Sequence, residues 1–406
     1  MARGNMNRLR SGTAGLLGTL LLAAALPAQE ESRESPDLER MIQDLREEVD
    51  RLRRTTDSLV PGSHAFVMTG FGELGYTDLQ GRPSTFGAAV NPIFLWQVEE
   101  NLLVETELEV ELEDRVANMD LGYANLSYVL SDEWMIGGGK FLTPFGLFSE
   151  RIHPSWINRL PDAPLVFAHG TGLVPPSSLG VWARGAVRQG DQRLNYAFFL
   201  TNGPAMTVAD PGGGAEGDHG ATGALEFDNY DDINSNKAFG GRLGFLPAPE
   251  LEVGVSGMWA DVLPAGMEQA SARLYGLDVT FQHRIPSWKG NLRFLAEWVW
   301  SQVDSVAFPG VRAFDNRRNG GYLQASFRFL GAASDFLSRI EPVVRFDRLN
   351  QPNDVEGSFD EQRWTFGVDY WIGPSAALKV AWRMDEILNG DREEGDALLV
   401  QFAMGF

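Results

Sequence analysis

A transmembrane antiparallel β-barrel of about sixteen strands, all-β apart from a short α-helical coiled coil ahead of it, is the fold class this sequence predicts. Apolar and polar residues alternate with a period of two in segment after segment of the chain. Tight connections alternate with longer ones, as they do when a barrel is inserted from one side of a membrane. The chain also opens on an export signal and afterwards holds no apolar run approaching the roughly 20 residues of a spanning helix.

At the N-terminus, Arg3, Arg8 and Arg10 precede an apolar run from Ala14 to Leu26 and the small-residue stretch Leu26-Pro27-Ala28-Gln29, which predicts a signal peptide over 1–28. Residues 29–62 form the next segment. Leu38, Leu45, Leu52 and Leu59 fall seven apart, with Ile42, Val49 and Thr56 four residues after the first three, the d and a positions of a heptad. Glu48 and Arg53 then occupy g and e. Oligomerisation through this seam is the functional expectation, and a solvated amphipathic helix is the alternative. β-branched residues at a with Leu at d favour dimers, so the heptads alone leave the number of chains open. Pro36 starts the segment and Pro61-Gly62 stops it, which makes it a periplasmic stalk separate from a barrel over 63–406.

The C-terminal segment shows the strand pattern most plainly: Leu398, Val400, Phe402, Met404 and Phe406 alternate with Leu399, Gln401, Ala403 and Gly405. Trp364, Phe366, Val368 and Tyr370 repeat it against Thr365, Gly367 and Asp369, and Leu378, Val380, Trp382 and Met384 against Lys379, Ala381 and Arg383. Charges on the second face argue against the dry core of a sandwich. Such segments occur at 65–77, 89–99, 102–113, 119–130, 134–142, 178–188, 193–202, 237–246, 250–261, 272–284, 291–303, 319–330, 338–349, 362–372, 377–387 and 396–406. Tight links at Glu100-Asn101, Ser131-Asp132-Glu133, Gln189 to Gln192, Pro247-Ala248-Pro249 and Gly373-Pro374-Ser375 read as periplasmic turns, and the long links 143–177 and 203–236 as extracellular loops. The surroundings to expect are a lipid bilayer with lipopolysaccharide, reached through the outer-membrane assembly machinery by way of the C-terminal strand.

A barrel of this size is too wide to be filled by its own side chains, so it encloses water unless something plugs it. Loop 143–177 is the candidate for narrowing it, because so long a link with six prolines and many aromatics needs a surface to pack on. Glu150, Arg151, His153 and Arg159 are its constriction candidates; an exterior lid is the alternative. On the third strand Glu105, Glu107, Glu109, Glu111 and Glu113 share a face that lipid will not take. Arg184, Arg242, Arg293, Arg328, Arg345, Lys379 and Arg383 fall on inward faces too, as do Glu252, Asp278, Glu297, Glu341 and Asp369. The expected interior is mixed in sign, with either a field across the lumen or a set of internal ion pairs.

At Gly139-Lys140-Phe141-Leu142-Thr143-Pro144-Phe145-Gly146 the sequence resembles the phosphate-selective porin O and P family, and Ala197-Phe198-Phe199-Leu200-Thr201-Asn202-Gly203 is similar to that family's next upward strand. The likeness in layout covers 65–406. It implies an outer-membrane porin for passive diffusion of small hydrophilic or charged solutes, anions among them, and a homotrimer; the DcaP-like branch carries an N-terminal coiled coil. The family's dense basic ladder has no counterpart here, since Arg151 and Arg159 stand against Glu150 and Asp162.

Other functions find little support. Without cysteine there are neither disulfides nor thiolate metal sites, and no metal or cofactor constellation is expected. A net charge of −21 argues against a nucleic-acid partner. No enzyme is expected: His153, Ser155 and Asn158 lie close in sequence, but a triad is defined by geometry. An adhesion or cell-wall-tethering barrel is the rival to a channel.

Overall fold

The computed structural model describes residues 65–406 apart from 114–115, 169–170, 208–221, 228–229, 308–312, 332–333, 354, 356 and 391–394. The expected signal peptide and the coiled-coil positions Leu38, Ile42, Leu45, Val49, Leu52 and Leu59 lie outside the described residues.

The strands are β1 (Ala65–Leu79), β2 (Thr85–Glu99), β3 (Leu102–Glu113), β4 (Val116–Val129), β5 (Trp134–Leu142), β6 (Ser177–Gln189), β7 (Gln192–Thr201), β8 (Ala205–Met206), β9 (Leu225–Glu226), β10 (Ala238–Ala248), β11 (Leu251–Asp261), β12 (Ser271–Ile285), β13 (Gly290–Val303), β14 (Asn316–Phe329), β15 (Ile340–Asn350), β16 (Asp360–Gly373), β17 (Ala376–Asn389) and β18 (Ala397–Gly405). All but the short pair β8 and β9 form one closed antiparallel barrel of sixteen strands, in which β1 pairs with β18. Closure extends to the last residue, because Gly70 and Phe406 exchange backbone hydrogen bonds of 3.1 and 3.0 Å. Each of the sixteen expected segments coincides with a barrel strand, with ends displaced by at most four residues.

Burial is inverted relative to a water-soluble protein. On β16, Trp364, Phe366 and Val368 are exposed while Arg363, Thr365 and Asp369 are buried. On β15, Glu341, Arg345 and Asp347 are likewise buried. The apolar face points outward and the polar face inward, the arrangement a lipid-facing barrel requires. Outward aromatics gather in two belts. Phe239 stacks on Trp259, Trp259 meets Tyr275, and Phe346 meets Trp364 toward the end with the long connections. Trp134 with Tyr196 and Phe327 with Phe329 mark the end with the turns.

The connections depart from the expected regularity in three places. At the long-loop end, 80–84 and 114–115 are short, and at the turn end 330–339 is long enough to hold a helical turn, Asp335–Ser338. The connection read as an extracellular loop at 203–236 is partly tucked into the mouth. There β8 pairs with β9, Met206 N–H donates to Val262 O at 3.0 Å, and Arg318 and Asn316 donate to the carbonyls of Thr222 and Gly223 at 2.9 and 2.8 Å. Met206, Leu225, Val262, Leu263 and Val303 make this corner apolar, a drive toward burial that the polar composition of the loop concealed.

Candidate functional site

The link between β5 and β6 folds into the barrel. Thr143-Pro144 ends β5, since proline offers no N–H to continue the ladder. Phe145 is completely buried, and Gly146 takes φ +70°, a left-handed conformation suited to glycine. Its N–H donates to Ser256 Oγ at 3.0 Å. The next two N–H groups, of Leu147 and Phe148, donate to Glu297 Oε2 at 3.3 and 3.2 Å. One carboxylate on the wall thus fixes the start of the loop, and a Cβ on Gly146 would stand 1.6 Å from Glu297 Oε1.

A wide helical turn, Phe148–Ile152, follows. It directs Glu150 to Arg184 on β6 at 2.8 Å and Arg151 to Glu252 on β11 at 3.0 Å. Further along, Lys379 on β17 donates to the carbonyls of Ser155 and Asn158 and to Gln401 Oε1. Arg159 pairs with Glu341 on β15 at 3.1 Å and lies over the Trp371 ring. Asp162 then meets Arg345 at 2.8 Å, Arg363 at 3.5 Å and Arg383 at 3.7 Å, one arginine from each of β15, β16 and β17. Wall glycines make room for the loop's apolar side chains: a Cβ on Gly367 would fall 2.5 Å from Leu160, and one on Gly320 2.7 Å from Val166.

Charge adds to this apolar packing in the middle of the loop. Burial alone would raise the Asp162 pKa, but Arg345, Arg363 and Arg383 together hold it below the ordinary carboxylate range. A depressed carboxylate stabilises the docked state above its unfolded pKa of about 3.9, and that contribution is lost as pH falls through the folded value. The difference in single-channel current between the native protein and Asp162→Asn is therefore expected to persist from about pH 8 to 5 and to vanish only below about pH 4. A midpoint near pH 6 would contradict this. His153 has its pKa lowered to about 4 by burial, against an opposing hydrogen bond to the Ser149 backbone, so it brings no positive charge at neutral pH. Its ring meets Phe71 edge-on at 6.0 Å.

Two water-accessible spaces remain beside the loop. One, of about 840 Å³, is lined by Glu73, Glu111, Pro161, Asp162, Arg383 and Gln401. The other, of about 630 Å³, lies by the turn 131–133 and is lined by Glu150, Arg151, Arg184, Arg193 and Arg242. Loop residues border both.

The structure sorts the expected lining residues into two groups. Glu111 and Arg383 border the first space, and Arg184 borders the second. Arg345 and Lys379, on the expected inward face, are sealed against the loop, and Arg242 is almost wholly buried between Asp278 and Glu252, the internal ion pairing that was one of the two expectations for this wall. Glu107 is also buried, accepting from Asn91 at 3.2 Å, while Glu105 and Glu109 are half-buried. Arg293 and Arg328 form no ion pair among the described residues, and Arg328 lies over Trp371. Glu73, Arg363 and Gln401 were not among the expected site residues, although Arg363 sits two places before Thr365 on the same inward face. His153, Ser155 and Asn158 do not converge: the Asn158 amide donates to Asp162 O at 2.9 Å, and no hydrogen bond joins His153 to Ser155.

No family model matches the sequence. No curated protein matches it either. Solved structures do resemble it. OmpF of Salmonella typhi in complex with daunomycin aligns at TM-score 0.54 and 10% identity, over 84% of this chain and 98% of that one. An anion-selective porin from Comamonas acidovorans aligns at 0.52 and 12%, over 84% and 99%. OmpT in trimer form, an outer membrane protein of Vibrio cholerae, aligns at 0.51 and 10%, over 84% and 99%. At such identities the likeness is one of fold, and the class it defines is the porin-like barrel of sixteen strands.

Proposed function

We propose that this chain is an outer-membrane porin through which small hydrophilic or charged solutes diffuse passively. The observation that carries the reading is the inward loop, which crosses a lipid-faced barrel and leaves charged, water-accessible space on both sides of its contacts. In this reading the long-loop end faces outward through lipopolysaccharide and the turn end faces the periplasm, where the segment 29–62 forms a coiled coil. The resemblance to the phosphate-selective porin O and P family favours a homotrimer. No catalytic step is assigned to the loop.

Most lumenal charges neutralise one another, which supports weak rather than strict ion selectivity. A single charge about 8 Å from a permeating ion in water contributes on the order of 0.5 kcal/mol, roughly a twofold bias. Glu111→Gln is expected to move the permeability ratio about that far toward anions and Arg193→Gln about as far toward cations, since both side chains are exposed. Reversal potentials in a salt gradient measure both. Shifts of the same sign would refute this charge assignment. Liposome swelling with sugars of increasing size tests the channel itself: uptake that falls with solute size supports a porin, and no uptake favours a tethering barrel.

A further inference from the structure

Four arginines are buried among the described residues, and three of them are answered by acids. Arg242 meets Glu252 and Asp278, Arg345 meets Asp162 and Asp347, and Arg363 meets Glu361, Asp385 and Asp162. The fourth, Arg318 on β14, is 1% exposed and has neutral partners in place of acids. Its Nε donates to Asn316 Oδ1 at 3.2 Å and its Nη2 to the Thr222 carbonyl at 2.9 Å. Its Nη1 is closed to solvent and finds no acceptor among the described residues. A guanidinium stays charged, and a buried charge without a counter-charge is strongly destabilising.

The side chains around Arg318 repeat the deficit independently. Ser301 on β13 is its register partner, and the Ser301 Oγ is buried without a hydrogen-bond partner. On the other side Asn319 pairs with Asn350, so Gln351, the next residue, stands beside Arg318. Both polar atoms of the Gln351 side-chain amide are buried and unpartnered. Asp360 accepts from the Gln351 backbone N–H at 2.7 Å and forms no ion pair with Arg318. Thr222, whose carbonyl Arg318 already holds, brings one more such group in its Oγ1. One level of the inner wall, with the connection 203–236 against it, thus gathers a charged donor, two hydroxyls and an amide. Buried polar groups are almost always satisfied, so four that are not, at one place, call for a ligand.

We infer that Arg318, Ser301, Gln351 and Thr222 bind one small inorganic anion of chloride size, which pins the connection 203–236 to the wall. The anion supplies the counter-charge that Arg318 lacks, and it accepts from Nη1, the two hydroxyls and the Gln351 amide. A water molecule in its place would satisfy hydrogen bonds and leave the charge unmet. Small size follows from enclosure, because all four groups are shut from solvent beside the apolar corner of Met206, Leu225 and Val303. The anion is resident rather than carried through, so the site stands or falls independently of the proposed transport.

The test is thermal unfolding of the whole folded protein in sodium gluconate, with bromide titrated in at constant ionic strength, beside anomalous diffraction from crystals grown in bromide. The native protein is expected to gain stability saturably as bromide replaces gluconate, since a ligand of the folded state alone stabilises it. The crystals are expected to show a bromide against Arg318 Nη1. Arg318→Met is expected to lose both the saturable gain and that bromide. Ser301→Ala keeps the charge and is expected to raise the half-saturating bromide concentration about tenfold, a reading that remains should Arg318→Met fail to fold. Arg317→Gln, at the exposed neighbouring position, is expected to respond as the native protein does. Unfolding that ignores bromide, as it would if the charge were met from within the chain, would overturn the inference. So would an undiminished response in Arg318→Met or Ser301→Ala, or bromide bound only elsewhere.

Discussion

Asp162→Asn is expected to release the middle of the inward loop, raise single-channel conductance severalfold and lower the stability of the folded barrel. The reason is the number of charges that depend on one side chain. Arg345 is completely buried and keeps Asp347 as its one acidic partner, beside the Asp162 and Ala163 carbonyls, once Asp162 is neutral, and Arg363 and Arg383 lose a shared partner. Breaking a buried ion pair costs about 3–5 kcal/mol, and the lower end applies because Asp162 keeps an edge toward the water-filled space. Thermal unfolding reads the stability and planar-bilayer recording reads the current. Unchanged conductance with normal folding would mean that Asp162 does not hold the loop in the pathway.

The second large effect is expected at Gly146. An alanine there would meet Glu297 Oε1 at 1.6 Å and must also adopt a positive φ, so the start of the loop cannot dock as it does now. A cost of several kcal/mol follows from the strain and the lost contacts together. Glu297→Ala alone leaves the N–H groups of Leu147 and Phe148 buried without their acceptor, about 1–3 kcal/mol. Combining the two changes removes the clash but not the backbone strain, so the double variant is expected to be less damaged than the sum of the singles. Trypsin cleavage after Arg151 or Arg159 reports loop release directly, beside urea unfolding. Strict additivity would contradict the proposed contact.

The barrel was legible because its physics repeats. A strand with lipid on one side and polar groups on the other is written in alternate residues, and each of β1 to β7 and β10 to β18 carries that pattern locally. The local rule fails where a long-range contact or an irregularity intervenes. Gly122 is the extra residue of a bulge, seen where the register slips between Glu107 and Leu108, and nothing in the alternation marks it. The inward faces of Arg345 and Lys379 were readable, but their burial was not. Each depends on a loop about two hundred residues away in sequence, and burial there is set by which acids and carbonyls the loop brings. The heptad seam, by contrast, is legible only in the sequence, since those residues lie outside the described structure.

The same distinction explains the loop itself. Prolines and aromatics in 143–177 said that it needed a surface, and the wall was the available one. Its anchoring was invisible, because Glu297, Lys379 and the arginines around Asp162 sit on strands that look like any other charged inward face. The inward turn of part of the connection 203–236 was hidden for a related reason: Met206 and Leu225 are apolar residues in a polar stretch, and only the apolar corner they enter reveals their use.

Single-channel recording of the purified, folded protein in planar bilayers distinguishes a channel from a closed barrel. Stepwise, ohmic currents are expected in the native protein, with larger steps after Asp162→Asn. A folded barrel that inserts but passes no current, in both the native protein and that variant, would contradict this expectation.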